Sequence, residues 1–535
     1  MRNIKTNILA AAFTSLFTIG ISSCSDFLEE MPKTSLTPGQ VYTDLNVLEP
    51  AVDGLYTSYR GSKQGRDGFT FTLLGLDESK QGIIQMTDAS QAGLDYYDGM
   101  LNATSSQISA MWFKRWPMIN TASLSIRGLE LLADNETDDE TLRKIILLRA
   151  NARFIRALAM FEMTMYWGEV PVIEIADLED PDIDMGRKSL DIVWKQIFDD
   201  LTYASENLDD GKQAGPRATK GAAIAMLGKL SMYAPAESGY QDFGKAIGYF
   251  ERIKGNYSLE SNYETMFDEY ATLEFNSNES IFEIDYICNN SGANRWQWDM
   301  GSRTLANLGE SCYIGGYDVS LPTDYAYKMK SEGGVWEEGD RRREASIRFD
   351  FTYHGQEYTT PSWGADELDP HIKKWEDRRL DRWTSNSLAA EATSGRSFYH
   401  SGKNYMYLRL ADILLCYAEC LNETGRTGEA IEVVNQVRTR AWNGDLPADK
   451  RWSGLSQDQF RTEIMDERMR ELCFEGWRRM DLIRTGTFVN LIKERNPWAK
   501  EKGSIRDFHM RWPIPEDEIK NNPYMEMGTD QNPGY

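Results

Sequence analysis

Two short stretches set flat aromatic rings among hydrogen-bonding side chains. In residues 294–300, NRWQWDM, Trp296 and Trp298 are two apart, with Arg295, Gln297 and Asp299 between and beside them. Residues two apart on an extended segment point to the same side, so the spacing predicts a pair of rings on one face. In residues 94–102, LDYYDGMLN, Tyr96 and Tyr97 stand with Asp98 and Asn102 in a glycine-bounded loop. Trp363, in TPSWGADE, is a third candidate of lower rank. Such groupings suit a sugar ring, whose axial C–H face lies on a flat apolar surface while Asp, Asn, Gln or Arg bonds its hydroxyl rim. Tyrosine and tryptophan keep a polar handle and tolerate a wet surface. The alternative for each ring is plain burial in a core.

Signs of catalysis are thin. The four histidines, His354, His371, His400 and His509, form no His-Glu-x-x-His, and there is no Gly-x-Ser-x-Gly, phosphate loop or calcium loop. No cofactor is expected and no metal ligands are assigned; whether a metal ion is bound stays open. A glycosidase needs two carboxylates about 5 or about 6.5 to 9.5 Å apart, which a chain with 83 acidic residues leaves open. Glu467, Glu471 and Glu475 advance by four on one helical face among Arg468, Arg470, Arg478, Arg479, Asp481 and Arg484. That stripe could hold a cation or could pair with arginines. Arg149, Arg153 and Arg156 form a matching stripe near residue 150, and the expectation is that the two meet through bidentate pairs.

The elements that must position these groups are mostly helical. Apolar residues recur with a 3.6-residue period over about 140–167, 189–208, 219–234, 242–254, 404–424, 427–441 and 457–475. Gly168, Gly211, Gly255 and Gly425 fall just beyond periodic runs, where a cap or stop is wanted. ADILLCYAECLNETGRTGEAIEVVNQVRTRAW and DFGKAIGYFERI resemble tetratricopeptide hairpins, with Ala418, Ala430, Ala246 and Phe250 at the packing positions. Such hairpins cover their apolar faces only by stacking. The predicted class is therefore mainly α: a tetratricopeptide-like scaffold of residues 41–275 and 401–535 packed as one body. Residues 276–400 read as a loop-rich insertion with a few short strands, the candidate ligand face; it carries Trp296, Trp298, Trp336, Trp363, Trp375 and Trp383. Trp112, Trp116, Trp167 and Trp477 are assigned to packing.

The chain opens with Arg2, Lys5 and an apolar run from residue 8 to 21, shorter than the roughly 20 residues that span a bilayer. Residues 1–23 read as a signal peptide. Ile21, Ser22 and Ser23 before Cys24 resemble a lipobox, which implies cleavage before Cys24 and acylation of that cysteine, with residues 24–40 as a lipidated tether. The acidic residues after it resemble a surface-export signal. Loss of Arg2 and Lys5 takes the net charge from −24 to −26, since residues 1–23 hold no acid. Such a charge repels nucleic acid and anionic headgroups, so the lipid must do the anchoring. The remaining cysteines, Cys288, Cys312, Cys416, Cys420 and Cys473, are odd in number and sparse, which is no disulfide framework.

The blocks CSDFLEEMPKTSLTPGQVY, AVDGLYTSY, MWFKRWPMINTA, ANARFIRALAMFEMTMYWGEVPV, LPTDYAYKM, YMYLRLADILLCYAECLN, ERMRELCFEGWRRMDLIRTG and WPIPEDEIKNNPYMEMGTDQNPGY occur in that order along nearly the whole mature chain. They resemble the SusD/RagB family of outer-membrane nutrient-binding lipoproteins. The resemblance implies a helical lid, lipid-anchored at the cell surface, that captures an oligosaccharide without cleaving it and delivers it to a SusC-like TonB-dependent transporter. A peptide-binding member of the family and a surface hydrolase are the alternatives. The blocks transfer no individual binding residue.

Overall fold

The structure, a computed structural model, describes residues 41–179, 183–267, 275, 277–288, 291–306, 313–353, 355–359, 369–380 and 400–535. Its principal helices are α1 (Leu45–Gln64), α2 (Trp116–Ala133), α3 (Asp139–Trp167), α4 (Leu190–Asn207), α5 (Lys220–Tyr233), α6 (Phe243–Ile253), α7 (Trp296–Met300), α8 (Leu410–Glu423), α9 (Thr427–Ala441) and α10 (Gln457–Leu472). Helix α1 packs on α2 and α3, and the run continues α3 on α4, α4 on α5, α5 on α6, α6 on α8, and α8 on both α9 and α10. One unbroken stack thus joins the helices near residue 150 to those near 415.

Local chemistry explains the helix ends. The Asp138 carboxylate accepts the Thr141 N–H at 2.9 Å, and α3 stops where Gly168 turns to φ 79°. Asp242 caps α6 by accepting from Lys245 N at 2.9 Å. Ser456 and Gln459 form a capping box at the start of α10. Ala246 and Phe250 face inward at 0 % exposure. Phe250 lies so close to α5 that a Cβ on Gly228 would stand 2.5 Å from its ring, so the contact requires glycine there.

The helix expected from residue 404 begins at Leu410. The preceding Tyr405–Arg409 forms a strand, β2, antiparallel to β1 (Ser280–Ile284), with Tyr405 opposite Ile284 and Arg409 opposite Ser280. Every residue of both strands is buried. A buried segment needs partners for its backbone groups; residues 280–284 supply them, and two tyrosines in five residues suit a sheet. Four shorter two-stranded ladders lie among the described residues.

The acidic and basic stripes do not meet. Arg149 pairs with Glu130, and Arg153 and Arg156 with Asp200 at 3.1 and 2.7 Å. The stripe on α10 finds other arginines. Glu467 binds Arg342 at 2.8 Å, Arg438 at 2.7 Å and Arg470 at 2.8 Å. Glu471 binds Arg342 at 2.9 Å, Arg409 at 2.5 Å and also Arg440. Glu475, just past the helix, binds Arg409 and Lys374, each at 2.8 Å. Glu279, Glu337 and Asp340 complete the cluster through Arg409, Arg440, Arg438 and Arg342. Five arginines and Lys374 therefore balance six carboxylates. Burial alone would raise the Glu467 carboxyl, but Arg342, Arg470 and Arg438 outweigh it and hold the group well below its ordinary range. For Glu471, Arg440, Arg409 and Arg342 overcome burial and bring the carboxyl to about 2.

Removing one member strands its partners as uncompensated buried charges. Arg409→Met is predicted to lower stability by about 3 to 5 kcal/mol, read from urea denaturation. Arg426→Met, at an exposed pair with Glu429, should leave the midpoint unchanged. Equal midpoints for both variants would show that the buried network is not a structural requirement.

Candidate functional site

Residues 296–300 are helical rather than extended, closed by Asp299 N donating to Arg295 O at 3.0 Å. Helical geometry turns about 100° per residue, so Trp296 and Trp298 point in nearly opposite directions. Trp296 is 0 % exposed; its Nε1 donates to Lys63 O at 3.0 Å, and its ring centroid lies 4.4 Å from Phe69 and 4.8 Å from Trp375. The expectation of a shared ligand face is corrected: Trp296 is a core residue. Trp298 is half-buried and pairs with Tyr317, their rings inclined by only 28° with centroids 6.2 Å apart. Tyr317 is 40 % exposed. The pair forms a partly exposed aromatic platform.

Backbone bonds fix the platform. Tyr317 N donates to Trp298 O at 2.8 Å, Gly316 N to Ser302 O at 2.7 Å, Asp318 N to Gly301 O at 3.1 Å and Val319 N to Asp299 O at 2.8 Å. The two segments approach so closely that a Cβ on Gly316 would fall 2.4 Å from Trp298 O, which is why Gly316 must be glycine. Gln85 adds a bond from Nε2 to Tyr317 O at 2.6 Å. Below, the fully buried Asp299 carboxylate accepts from Arg66 Nε and Nη2 at 3.2 and 3.1 Å and from Thr70 Oγ1 at 3.2 Å. Burial raises its carboxyl above the ordinary range, against the pull of Arg66 and Arg295. Asp299 is thus a pin under the platform, not a group facing a ligand. Arg295 is half-buried, with its N–H donating to Gln64 O at 3.3 Å.

The second candidate loop is divided too. Tyr97 is buried in the left-handed conformation, φ 52°, with its hydroxyl donating to Gly75 O at 2.7 Å, so it is corrected to a core residue. The Asp98 carboxylate accepts from Met100 N at 3.0 Å and Asn102 Oδ1 from Thr104 N at 2.8 Å, both shaping the turn. Tyr96 stays half-buried at the surface, edge-on to Trp498 at 6.2 Å, with Lys502 Nζ 4.3 Å from its ring. Gln91 Nε2 donates to Gln85 Oε1 at 3.3 Å and so links the helix bearing Tyr96 to the residue that holds Tyr317. Cys24 and Trp363 lie outside the described residues. Tyr317 escaped the sequence reading; its signal is the pair Gly315–Gly316 before an aromatic, which marks close backbone approach.

A family model described as "SusD family" matches residues 278–535, and one described as "Starch-binding associating with outer membrane" matches residues 26–232. SusD-like protein P2 of Formosa agariphila is 27% identical over 528 residues, covering 96% of this chain and 97% of that protein. Among solved structures, a SusD homolog from Bacteroides thetaiotaomicron superposes with TM-score 0.75 at 19% identity, covering 93% of this chain and 98% of the other. Surface glycan-binding protein A from Bacteroides fluxus gives TM-score 0.72 at 21% identity, covering 92% and 100%. These structural likenesses establish the helical-repeat fold.

The two tryptophans of NRWQWDM should separate experimentally. Trp296→Ala is predicted to cost about 3 to 5 kcal/mol of stability, the range for emptying a buried aromatic site, while Trp298→Ala shifts the melting temperature little. The reverse order in thermal denaturation would contradict the assignment.

Proposed function

Because the chain belongs to the SusD family, we propose that it is an outer-membrane surface lipoprotein that captures an oligosaccharide on the Trp298–Tyr317 platform and passes it uncleaved to a SusC-like TonB-dependent transporter. The observation that carries the ligand part is the near-parallel, partly exposed ring pair held by four backbone bonds. Such a surface is organised before the ligand arrives, so little ordering cost is added on binding. A sugar ring laid on it covers apolar area while its hydroxyls reach the edge groups. The carboxylates next to the two rings in sequence are turned inward, Asp299 onto Arg66 and Thr70 and Asp318 onto the Arg303 backbone N–H, which supports binding over hydrolysis.

Attachment is assigned to acylated Cys24. No helix among the described residues is long and apolar enough to cross a membrane. Tethering to the outer leaflet would also confine the chain next to a barrel partner and raise its effective concentration there.

Isothermal titration against a panel of soluble polysaccharides and peptides, with product analysis, tests the proposal. Binding to one glycan class without cleavage is expected, and Trp298→Ala and Tyr317→Ala should each weaken it by about 2 kcal/mol. Binding of peptides alone, or release of shortened glycan, would overturn it. Separately, Cys24→Ala should move the protein from the membrane fraction to the soluble one with its fold intact; continued retention in a strain lacking the transporter would remove the lipid anchor from the account.

A further inference from the structure

The platform has a cationic edge, in contrast to a chain whose net charge is −24. The Arg66 guanidinium carbon lies 5.3 Å and that of Arg303 5.8 Å from the centre of the Tyr317 ring. Some surface arginines are neutralised by acids: Arg217 pairs with Asp53 at 2.6 Å, Arg426 with Glu429 at 2.7 Å, and Arg461 with Glu423 at 2.7 Å. Arg303 is exposed and has no carboxylate within 4.0 Å of its guanidinium among the described residues. Asp318, on the facing segment, is 8 % exposed and spends Oδ1 on the Arg303 backbone N–H at 2.9 Å. Arg66 gives Nε and Nη2 to Asp299, and no other carboxylate among the described residues pairs with it.

We propose that this edge selects a glycan bearing anionic groups, with Arg303 and Arg66 bonding sulfate or carboxylate oxygens while Trp298 and Tyr317 cover the sugar face. The reading rests on the platform being the glycan site and adds the substrate class. A guanidinium held near an aromatic ring offers a planar fork suited to two parallel bonds to a sulfate or carboxylate. The negative charge of the rest of the chain does not forbid this, because exposed charges are screened beyond roughly 8 Å at physiological ionic strength. Two cations stand beside one tyrosine with the Asp299 and Asp318 carboxylates turned into the protein, and among the described residues no carboxylate neutralises the Arg303 guanidinium.

The test is titration of the intact protein with three soluble probes: a sulfated galactan, a polyuronate and a neutral β-glucan. Tighter binding of either charged probe than of the neutral one is expected, and which of the two binds separates sulfate from carboxylate recognition. Its affinity should fall with added sodium chloride. Arg303→Gln should weaken the charged probe about tenfold, the loss of one charge-assisted contact, and leave any neutral binding unchanged; its exposed position allows normal folding, checked by melting temperature. Equal affinity for charged and neutral probes, or no effect of Arg303→Gln while Trp298→Ala abolishes binding, would overturn this inference and leave the platform standing. Unchanged binding of every probe by Trp298→Ala would instead reject the platform itself, and the inference with it.

Discussion

Three glutamates spaced by four, Glu467, Glu471 and Glu475, hold the molecule in register. Their carboxylates are buried and each is shared by at least two cations drawn from distant parts of the chain: Arg342 and Lys374 from the region between the helical halves, Arg409 from β2, Arg438 and Arg440 from α9. Burying so much charge is costly, and an apolar replacement of the whole set could match its stability. A partial set could not, because every missing member leaves charge without a partner. The network therefore acts as a register device: α9, α10, β2 and the residues around 340 and 374 fit together in one way or leave ions stranded.

That register reaches the platform through a short chain of contacts. The Tyr405 hydroxyl donates to Glu475 O at 2.5 Å, and its ring lies 5.4 Å from Trp296 and 5.2 Å from Phe69. Trp375, whose Nε1 donates to Phe474 O at 3.0 Å, closes on the other side of Trp296. Trp296 seats α7 from below, and the turn containing Phe69 also carries Arg66 and Thr70, which hold Asp299. Only then do Trp298 and Tyr317 reach the surface. The buried tryptophan fixes the position from which the exposed one is presented.

Much of this was legible in the sequence, for identifiable reasons. Helices α3 to α6, α9 and α10 announce themselves because one face is apolar at every turn and Asp138, Asp242 and Ser456 supply caps. The blocks that resemble SusD/RagB proteins stand at both ends of the matched regions. Tyr405–Arg409 was hidden because its alternation is short and runs directly into a helix, so only its partner strand reveals it. The two-residue spacing of Trp296 and Trp298 predicts a common face only if the backbone is extended, and a single helical turn reverses that conclusion. The arginine partners of the acidic stripe lie up to 129 residues away along the chain, as Arg342 does from Glu471, and charge pattern alone does not choose among many arginines. Tyr317 was missed because its role depends on a chain approach that only Gly315 and Gly316 hint at.

Placing the ligand on Trp298 and Tyr317 makes a direct claim about where it touches the protein. Hydroxyl-radical footprinting read by mass spectrometry, with and without saturating oligosaccharide, addresses it residue by residue. The account predicts that Trp298 and Tyr317 lose reactivity together on binding while Tyr96 and Trp498 keep theirs. Protection that spares Trp298 and Tyr317 and appears elsewhere would contradict it.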